Sequence, residues 1–179
     1  TDVSQRLVFG GTGMTAIAVS SDGRMQRRSF PGFPGSEGLQ GGYEIVARTD
    51  LASAAPRIRS EVIELLAADP CPEGVRDILL GSNQLALQVH ESCGHPTELD
   101  RALGSEISLA GGSFLQPEDL GKLRYGSKIV TLTADSTAPQ GLGTFGWDDE
   151  GMPARKVPLV QDGIFVDYLS SRETAAALG

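Results

Sequence analysis

The strongest constraint on this chain is one amphipathic stretch, Asp50 to Ala68. Leu51, Ala55, Ile58, Val62, Leu65 and Leu66 recur at spacings of three and four residues, which lines them up along one stripe of a helix. Asp50 suits the N-cap, and Asp69-Pro-Cys-Pro-Glu-Gly74 stops the helix, because proline has no N–H to continue the ladder. Pro56 either marks the true first turn or bends the helix there.

The residues before this helix read as β. Arg6 to Phe9 and Met14 to Val19 are short apolar or alternating runs, and Gly10-Gly-Thr-Gly13 between them reads as a turn. Ser20-Ser-Asp-Gly23 predicts a tight hairpin turn, since Asp-Gly tolerates the positive φ angles required. Arg24 to Phe30 is the returning strand, with Met25, Arg27 and Ser29 on one face. The Pro- and Gly-rich text from Phe30 to Gly42 reads as a loop, and Tyr43 to Ala47 as another strand.

After the long helix, Val75 to Leu80 looks like a buried strand. A second helix is expected from Ser82 through Cys93, with Leu85, Val89 and Ala86 inward. Pro96 to Leu103 is a short helix, 104–126 is loop-rich, and Lys128 to Thr133 is a strand. Pro139 to Pro153 is irregular. Lys156 to Val160 and Ile164 to Tyr168 form a hairpin around Gln161-Asp-Gly163, and Ser170 to Leu178 starts a helix. The expected class is α+β: an antiparallel sheet with packed helices and Gly-rich loops. No linker divides the chain, so 1–179 reads as a single region: 1–49 mainly β, 50–104 helix–strand–helix, and 105–179 mixed β with a C-terminal helix start.

Composition narrows the function. Across 179 residues, 23 acidic against 15 basic side chains give a net charge of −8, which argues against a nucleic-acid partner. No apolar run approaches the roughly 20 residues that span a bilayer, so no membrane role is expected. No secretion signal is visible, and two cysteines do not make a disulfide framework, so a reduced, cytoplasmic setting is expected.

Both histidines of the chain fall in His90-Glu91-Ser92-Cys93-Gly94-His95. Zinc takes neutral imidazole nitrogens, and a hydrolytic site wants a carboxylate beside the metal to accept a proton from water. The spacing is one residue longer than in H-E-x-x-H. Five residues of ideal helix rotate about 500°, leaving the imidazoles about 140° apart. The pair can share an ion only if the helix ends or distorts at Gly94, which can leave helical geometry as a C-cap glycine does. The plainer reading is two unrelated histidines near a helix C-terminus. Two histidines are also one ligand short of the usual three, for which Glu98, Asp100, Cys93 and Cys71 are candidates. A second constellation, Gly143-Thr-Phe-Gly-Trp-Asp148-Asp149-Glu150-Gly151, reads as a solvated acidic turn or as a segment folded over a cleft. Serine and cysteine nucleophile schemes fail for want of a G-x-S-x-G elbow or a spare histidine.

His90-Glu-Ser-Cys-Gly-His95, followed by Glu98 and Asp100, resembles the HExxxH segment of the TldD/PmbA family. The run-in from Cys71-Pro-Glu-Gly74 and the box Gly146-Trp-Asp-Asp-Glu-Gly151-Met-Pro153 are similar to the family's as well. So is the order of the Asp162-Gly163 hairpin, Tyr168-Leu169 and Arg172 to Gly179. The resemblance implies a cytoplasmic zinc metallopeptidase, described as a modulator of DNA gyrase, acting on unfolded or extended peptides. It implies a dimer, of like subunits or with a PmbA-type partner that lacks the metal motif. By carry-over His90 and His95 bind Zn2+ and Glu91 is the general base. Glu98, Asp100, Asp149 and Glu150 are candidates for substrate contact. The family's third ligand is a cysteine of a C-terminal β domain, to which no residue here corresponds. The chain, opening on Thr1, is therefore expected to be the central part of a longer protein, without its N-terminal and C-terminal β domains. On its own it is expected to hold zinc weakly or not at all and to have little peptidase activity. The competing expectation is a non-catalytic interaction module whose histidine segment is structural.

Overall fold

A computed structural model of the chain describes residues 2–32 and 37–178. Its helices and small antiparallel sheets make the fold α+β. The chain divides into two compact units. One comprises Arg6–Gln84 and Gln140–Leu142; the other comprises Thr1–Gln5, Leu85–Pro139 and Gly143–Gly179.

In the first unit, β2 (Met14–Val19) and β3 (Met25–Phe30) form an antiparallel hairpin, in register from Met14↔Phe30 to Val19↔Met25. Gly23, at φ +86°, closes its turn by donating to the Ser20 carbonyl at 3.0 Å. Helix α2 (Leu51–Ala67) packs on this hairpin through Ala54, Ile58 and Val62, all buried. Asp50 caps it, its side chain accepting the Ser53 N–H at 3.1 Å. The stripe runs through Ala54 rather than Ala55, and Leu65 is exposed. The helix continues through Pro56, inside its early turns, where the missing N–H leaves the Ala52 carbonyl without an intrahelical donor. Arg28 and Arg57 both reach Glu61, at 2.5 and 2.6 Å, and these hydrogen bonds hold its carboxyl below the usual range.

Several expectations for this unit are overturned. Gly10 and Gly11 do not make a turn: they lie in β1 (Phe9–Thr12), paired antiparallel with β4 (Glu37–Gln40). A Cβ on Gly10 would sit 2.7 Å from the Gly42 carbonyl, so the glycine serves a close backbone approach. Of the loop expected from Phe30 to Gly42, 33–36 lie outside the described residues and 37–40 are strand. Tyr43 to Arg48 is a helix, α1, and not a strand; the Glu44 carboxylate accepts the Gly42 N–H at 2.7 Å at its start, and Ile45 is buried. Val75 to Leu80 has no regular secondary structure and no partner strand among the described residues, and Val75 and Leu79 are fully exposed. Its β-prone composition is therefore not realised, because a strand needs a neighbour to pair with.

Helix α3 (Ser82–Val89) buries none of its residues, and Leu85 and Ala86 are exposed where an inward face was expected. In the second unit, α4 (Leu99–Ala102) contributes Leu99 to a core with Leu115, Phe165 and Tyr168; Leu120, Leu123 and Tyr125 pack around it. Strands β5 (Leu132–Asp135), β6 (Lys156–Gln161) and β7 (Ile164–Phe165) form one antiparallel sheet in that order. β5 begins four residues later than Lys128. The preceding segment wraps the β6–β7 turn, where Gly163, at φ +78°, has the Gly126 and Ser127 carbonyls 2.5 Å from where a Cβ would stand. Gly163 donates to Val130 and its carbonyl receives Tyr125, both at 2.8 Å. The C-terminal α5 (Arg172–Ala175) is capped by Ser171. No helix among the described residues is long and apolar enough to cross a membrane.

Candidate metal centre

The chain leaves α3 through a single π-turn, His90–Gly94, closed by a bond from the His95 N–H to the His90 carbonyl. That bond spans five residues instead of four, so the widened turn absorbs the extra residue of the motif and returns His95 to the side of His90. The helix does distort here, but not by the expected route. Gly94 stays right-handed, at φ −59° and ψ −67°. The distortion is distributed over the turn and held from outside it. The buried Thr97 hydroxyl lies 2.7 Å from the Cys93 carbonyl and 2.9 Å from that of Gly94, tying the end of the turn to the residue that follows it. Tyr125 donates its hydroxyl to the Ser92 carbonyl, and burial, with the Cys93 thiol alongside, pushes that hydroxyl's pKa up.

The result is a convergence. His90 Nε2 and His95 Nε2 lie 2.9 Å apart with their rings edge to face, and a Glu91 carboxylate oxygen joins them, all within 4.8 Å of one another. Two imidazole nitrogens bound to one tetrahedral zinc stand about 3.3 Å apart, from Zn–N distances near 2.0–2.1 Å. An ion would thus need the rings to open by a few tenths of an ångström. His90 and Glu91 are exposed and His95 is half-buried, so the donor atoms are reachable from solvent. The residues fit a zinc ion in donor type and in spacing.

The other candidates separate into two groups. Glu98, at the start of α4, turns toward the histidines: its oxygens lie 3.2 and 3.3 Å from His95 Nδ1, and it receives Arg101 Nε at 3.0 Å. Asp100 accepts the Arg101 N–H at 2.9 Å and, with His95, Glu98 and Glu173, lines an acidic cleft of about 700 Å3. Glu91 borders a separate, more apolar cleft of about 580 Å3 with Phe114, Leu123, Arg124 and Tyr125. The acidic segment goes elsewhere. Asp148 accepts the backbone N–H groups of Glu150 and Met152 at 2.9 and 2.8 Å, and Glu150 accepts that of Arg172 at 3.0 Å. Neither Asp149 nor Glu150 belongs to the cluster of metal-type donors. Cys93 is buried, Cys71 is exposed, both are free thiols, and neither joins that cluster.

The residues missed from the sequence are the supports: Thr97, Arg101, Glu106 and Tyr125. A signal for one of them was present, since His95, Glu98 and Arg101 recur every three residues and so share a helical face. Nothing local marked Thr97 or Tyr125.

Residues 73–179, which include every donor atom of the cluster, match the family described as "PmbA/TldA metallopeptidase C-terminal domain". The chain is 35% identical over 144 residues to a metalloprotease of Methanothermobacter thermautotrophicus, covering 79% of this chain and 29% of that protein. It is 28% identical to the "Metalloprotease TldD homolog" of Haemophilus influenzae, over 92% of this chain and 32% of the relative. A relative in Saccharolobus solfataricus, 23% identical over 73% of this chain and 27% of its own, is named a zinc metalloprotease TldD homolog. The chain thus spans about a third or less of the length of these relatives. On this match and these identities, the chain belongs to the PmbA/TldD family of metallopeptidases.

Proposed function

We propose that this chain carries the metal-binding half of a zinc peptidase site that hydrolyses extended or unfolded peptides. The observation that carries the reading is the π-turn, which brings His90, Glu91 and His95 together from a spacing that an ideal helix would splay. His90 and His95 would hold the ion, their Nε2 atoms being the ones that converge. When bound, zinc polarises the scissile carbonyl and makes water more acidic. Glu91, one residue from a ligand and reachable from solvent, takes the proton of the attacking water and returns it to the departing amine. The clefts bordered by His95 and by Glu91 offer an extended peptide room beside the cluster. The third ligand is the cysteine that the family resemblance puts outside residues 1–179. The same reading carries a second subunit, alike or of the PmbA type, as partner.

The test is Glu91→Gln in the longer protein, assayed on an unfolded peptide. We expect hydrolysis to fall by about 10²–10⁴-fold, the usual worth of a positioned general base, with bound zinc unchanged. Hydrolysis at the wild-type rate would remove Glu91 from the mechanism. The 2.9 Å contact between the imidazoles also supports a second reading, a structural histidine pair in a non-catalytic interaction module. That reading expects chelation to leave the longer protein's peptide hydrolysis unchanged or absent throughout.

A further inference from the structure

The two histidines differ in what stands behind them. His95 Nδ1 faces a carboxylate, with Glu98 oxygens at 3.2 and 3.3 Å, and Arg101 Nη2 lies 3.3 Å from the same nitrogen. The side chain that donates or accepts here decides where the His95 proton sits, and therefore whether Nε2 has a free lone pair. If Arg101 donated to Nδ1, the imidazole proton would move to Nε2, facing His90, and Glu98 would confront a lone pair. The arginine has better acceptors. Its Nε donates to Glu98 at 3.0 Å, its Nη2 pairs with Glu106 at 3.1 Å and its Nη1 donates to the Ala110 carbonyl at 3.0 Å. Its side chain is only 11% exposed, clamped between the two carboxylates. Glu98 is the better partner for Nδ1, because an anion there favours an N–H pointing at it.

We propose that Glu98 is the positioning residue of this centre, accepting the Nδ1–H of His95 so that His95 Nε2 presents its lone pair toward His90 and Glu91, with Arg101 and Glu106 holding the carboxylate in place. The backbone around Glu98 is itself anchored. Leu99 donates to the Leu169 carbonyl at 2.8 Å and Leu169 to that of Thr97 at 2.7 Å, bracketing the glutamate between two bonds to the same segment. The 2.9 Å contact between the histidines follows from the same assignment: with the His95 proton on Nδ1, His90 Nε2–H is the donor and His95 Nε2 the acceptor. His95 is thus preset for a metal, and His90 is the ring that must change its tautomer. The metal part of this inference rests on the zinc reading above; the tautomer part does not.

The experiment is long-range 1H–15N correlation on the histidine-labelled chain at neutral pH, first without metal and then with one equivalent of Zn2+. Without metal we expect His95 to carry its proton on Nδ1. Glu98→Ala shifts it to Nε2, whereas Glu98→Gln, whose amide oxygen still accepts, keeps it on Nδ1. Zinc affinity, measured by chelator competition, falls about 10–100-fold in Glu98→Ala and by less than about tenfold in Glu98→Gln. A His95 proton on Nε2 in the unsubstituted chain overturns the proposal, and so does an unchanged tautomer in Glu98→Ala. If Glu98→Ala does not fold, the tautomer of the unsubstituted chain decides alone. In the longer protein, where the third ligand is expected, zinc that moves neither histidine's resonances would sink the metal reading while leaving the tautomer result to stand.

Discussion

The segments His90–Arg101 and Gly146–Pro153 are equally conspicuous as text, each a dense run of chemical side chains beside glycine, yet the fold uses them oppositely. In the first, side chains converge on one another: two imidazoles and a carboxylate meet, and a second carboxylate and an arginine stand behind them. In the second, carboxylates turn back on the backbone. Asp148 closes its own turn and Glu150 receives the first N–H of α5. The difference teaches that a cluster of acids becomes a site only when its lone pairs are left free of main-chain donors. Hydrogen bonds to local N–H groups are the ordinary fate of Asp and Glu in turns, and they leave less for a ligand.

The contrast can be broken most decisively at the metal. In the longer protein, removing one imidazole, His95→Ala, should weaken Zn2+ binding by more than about a hundredfold, since a proposed ligand is lost outright, whereas Glu150→Gln should leave it unchanged. Chelator competition on both variants reads the difference, and equal losses would erase the distinction between the segments. The next largest effect is on the support of the π-turn. Thr97→Val keeps the shape but leaves the Cys93 and Gly94 carbonyls without their hydroxyl, at a cost of about 1–3 kcal/mol in urea unfolding. Zinc affinity should fall with it, because the turn sets the distance between the histidines.

Tyr168 tests the acidic segment's own cavity, which it lines together with Asp148 and Glu150. Its hydroxyl is buried without a hydrogen-bond partner among the described residues. Burial, then the charges of Asp119 and Glu118, pushes its pKa up to about 12. The native state therefore holds this proton more tightly than the unfolded chain, whose tyrosine titrates near 10. The corresponding stability is complete below pH 10 and is lost as pH rises through about 12. Tyr168→Phe should flatten that alkaline loss in a pH series of melting temperatures, and at neutral pH should be neutral or stabilising by about 1 kcal/mol or less. The smallest effect belongs to Gly94. Its right-handed angles and the open space around a Cβ there predict that Gly94→Ala leaves both zinc affinity and the histidine spacing alone. Its stability should change by no more than about 1 kcal/mol, in the stabilising direction. A large loss would restore the idea that glycine itself makes the bend.

Legibility followed the range of the forces involved. Helix α2, the Met14–Phe30 hairpin and the β6–β7 hairpin were readable because their signals are local: a stripe at spacings of three and four, and Asp-Gly at the turns. Tyr43–Arg48 was not, because six residues are too few to show a period that tells a helix from a strand. Val75–Leu80 looked like a strand for its composition, but pairing is a property of a neighbour and none stands beside it among the described residues. Within the site, His90, Glu91 and His95 could be named from residue type and spacing. Thr97 and Tyr125 could not, since one acts through a backbone carbonyl four residues back and the other from 33 residues away.

By itself, then, the sequence determined the chemistry available: two imidazoles, one carboxylate beside them, and a spacing that demanded some departure from an ideal helix if the two are to meet. It also determined the family, through motifs spread along residues 73–179. Only the tertiary structure decided how the departure is made. A π-turn is intrinsically less favourable than an α-turn and persists here because the Thr97 and Tyr125 hydroxyls bond to its carbonyls. Tertiary structure likewise chose between acidic neighbours, aiming Glu98 at His95 and turning Glu150 to the Arg172 N–H. The physical reason is that a carboxylate's role depends on which donor lies within about 3 Å of it, and that is set by packing and not by adjacency in the chain.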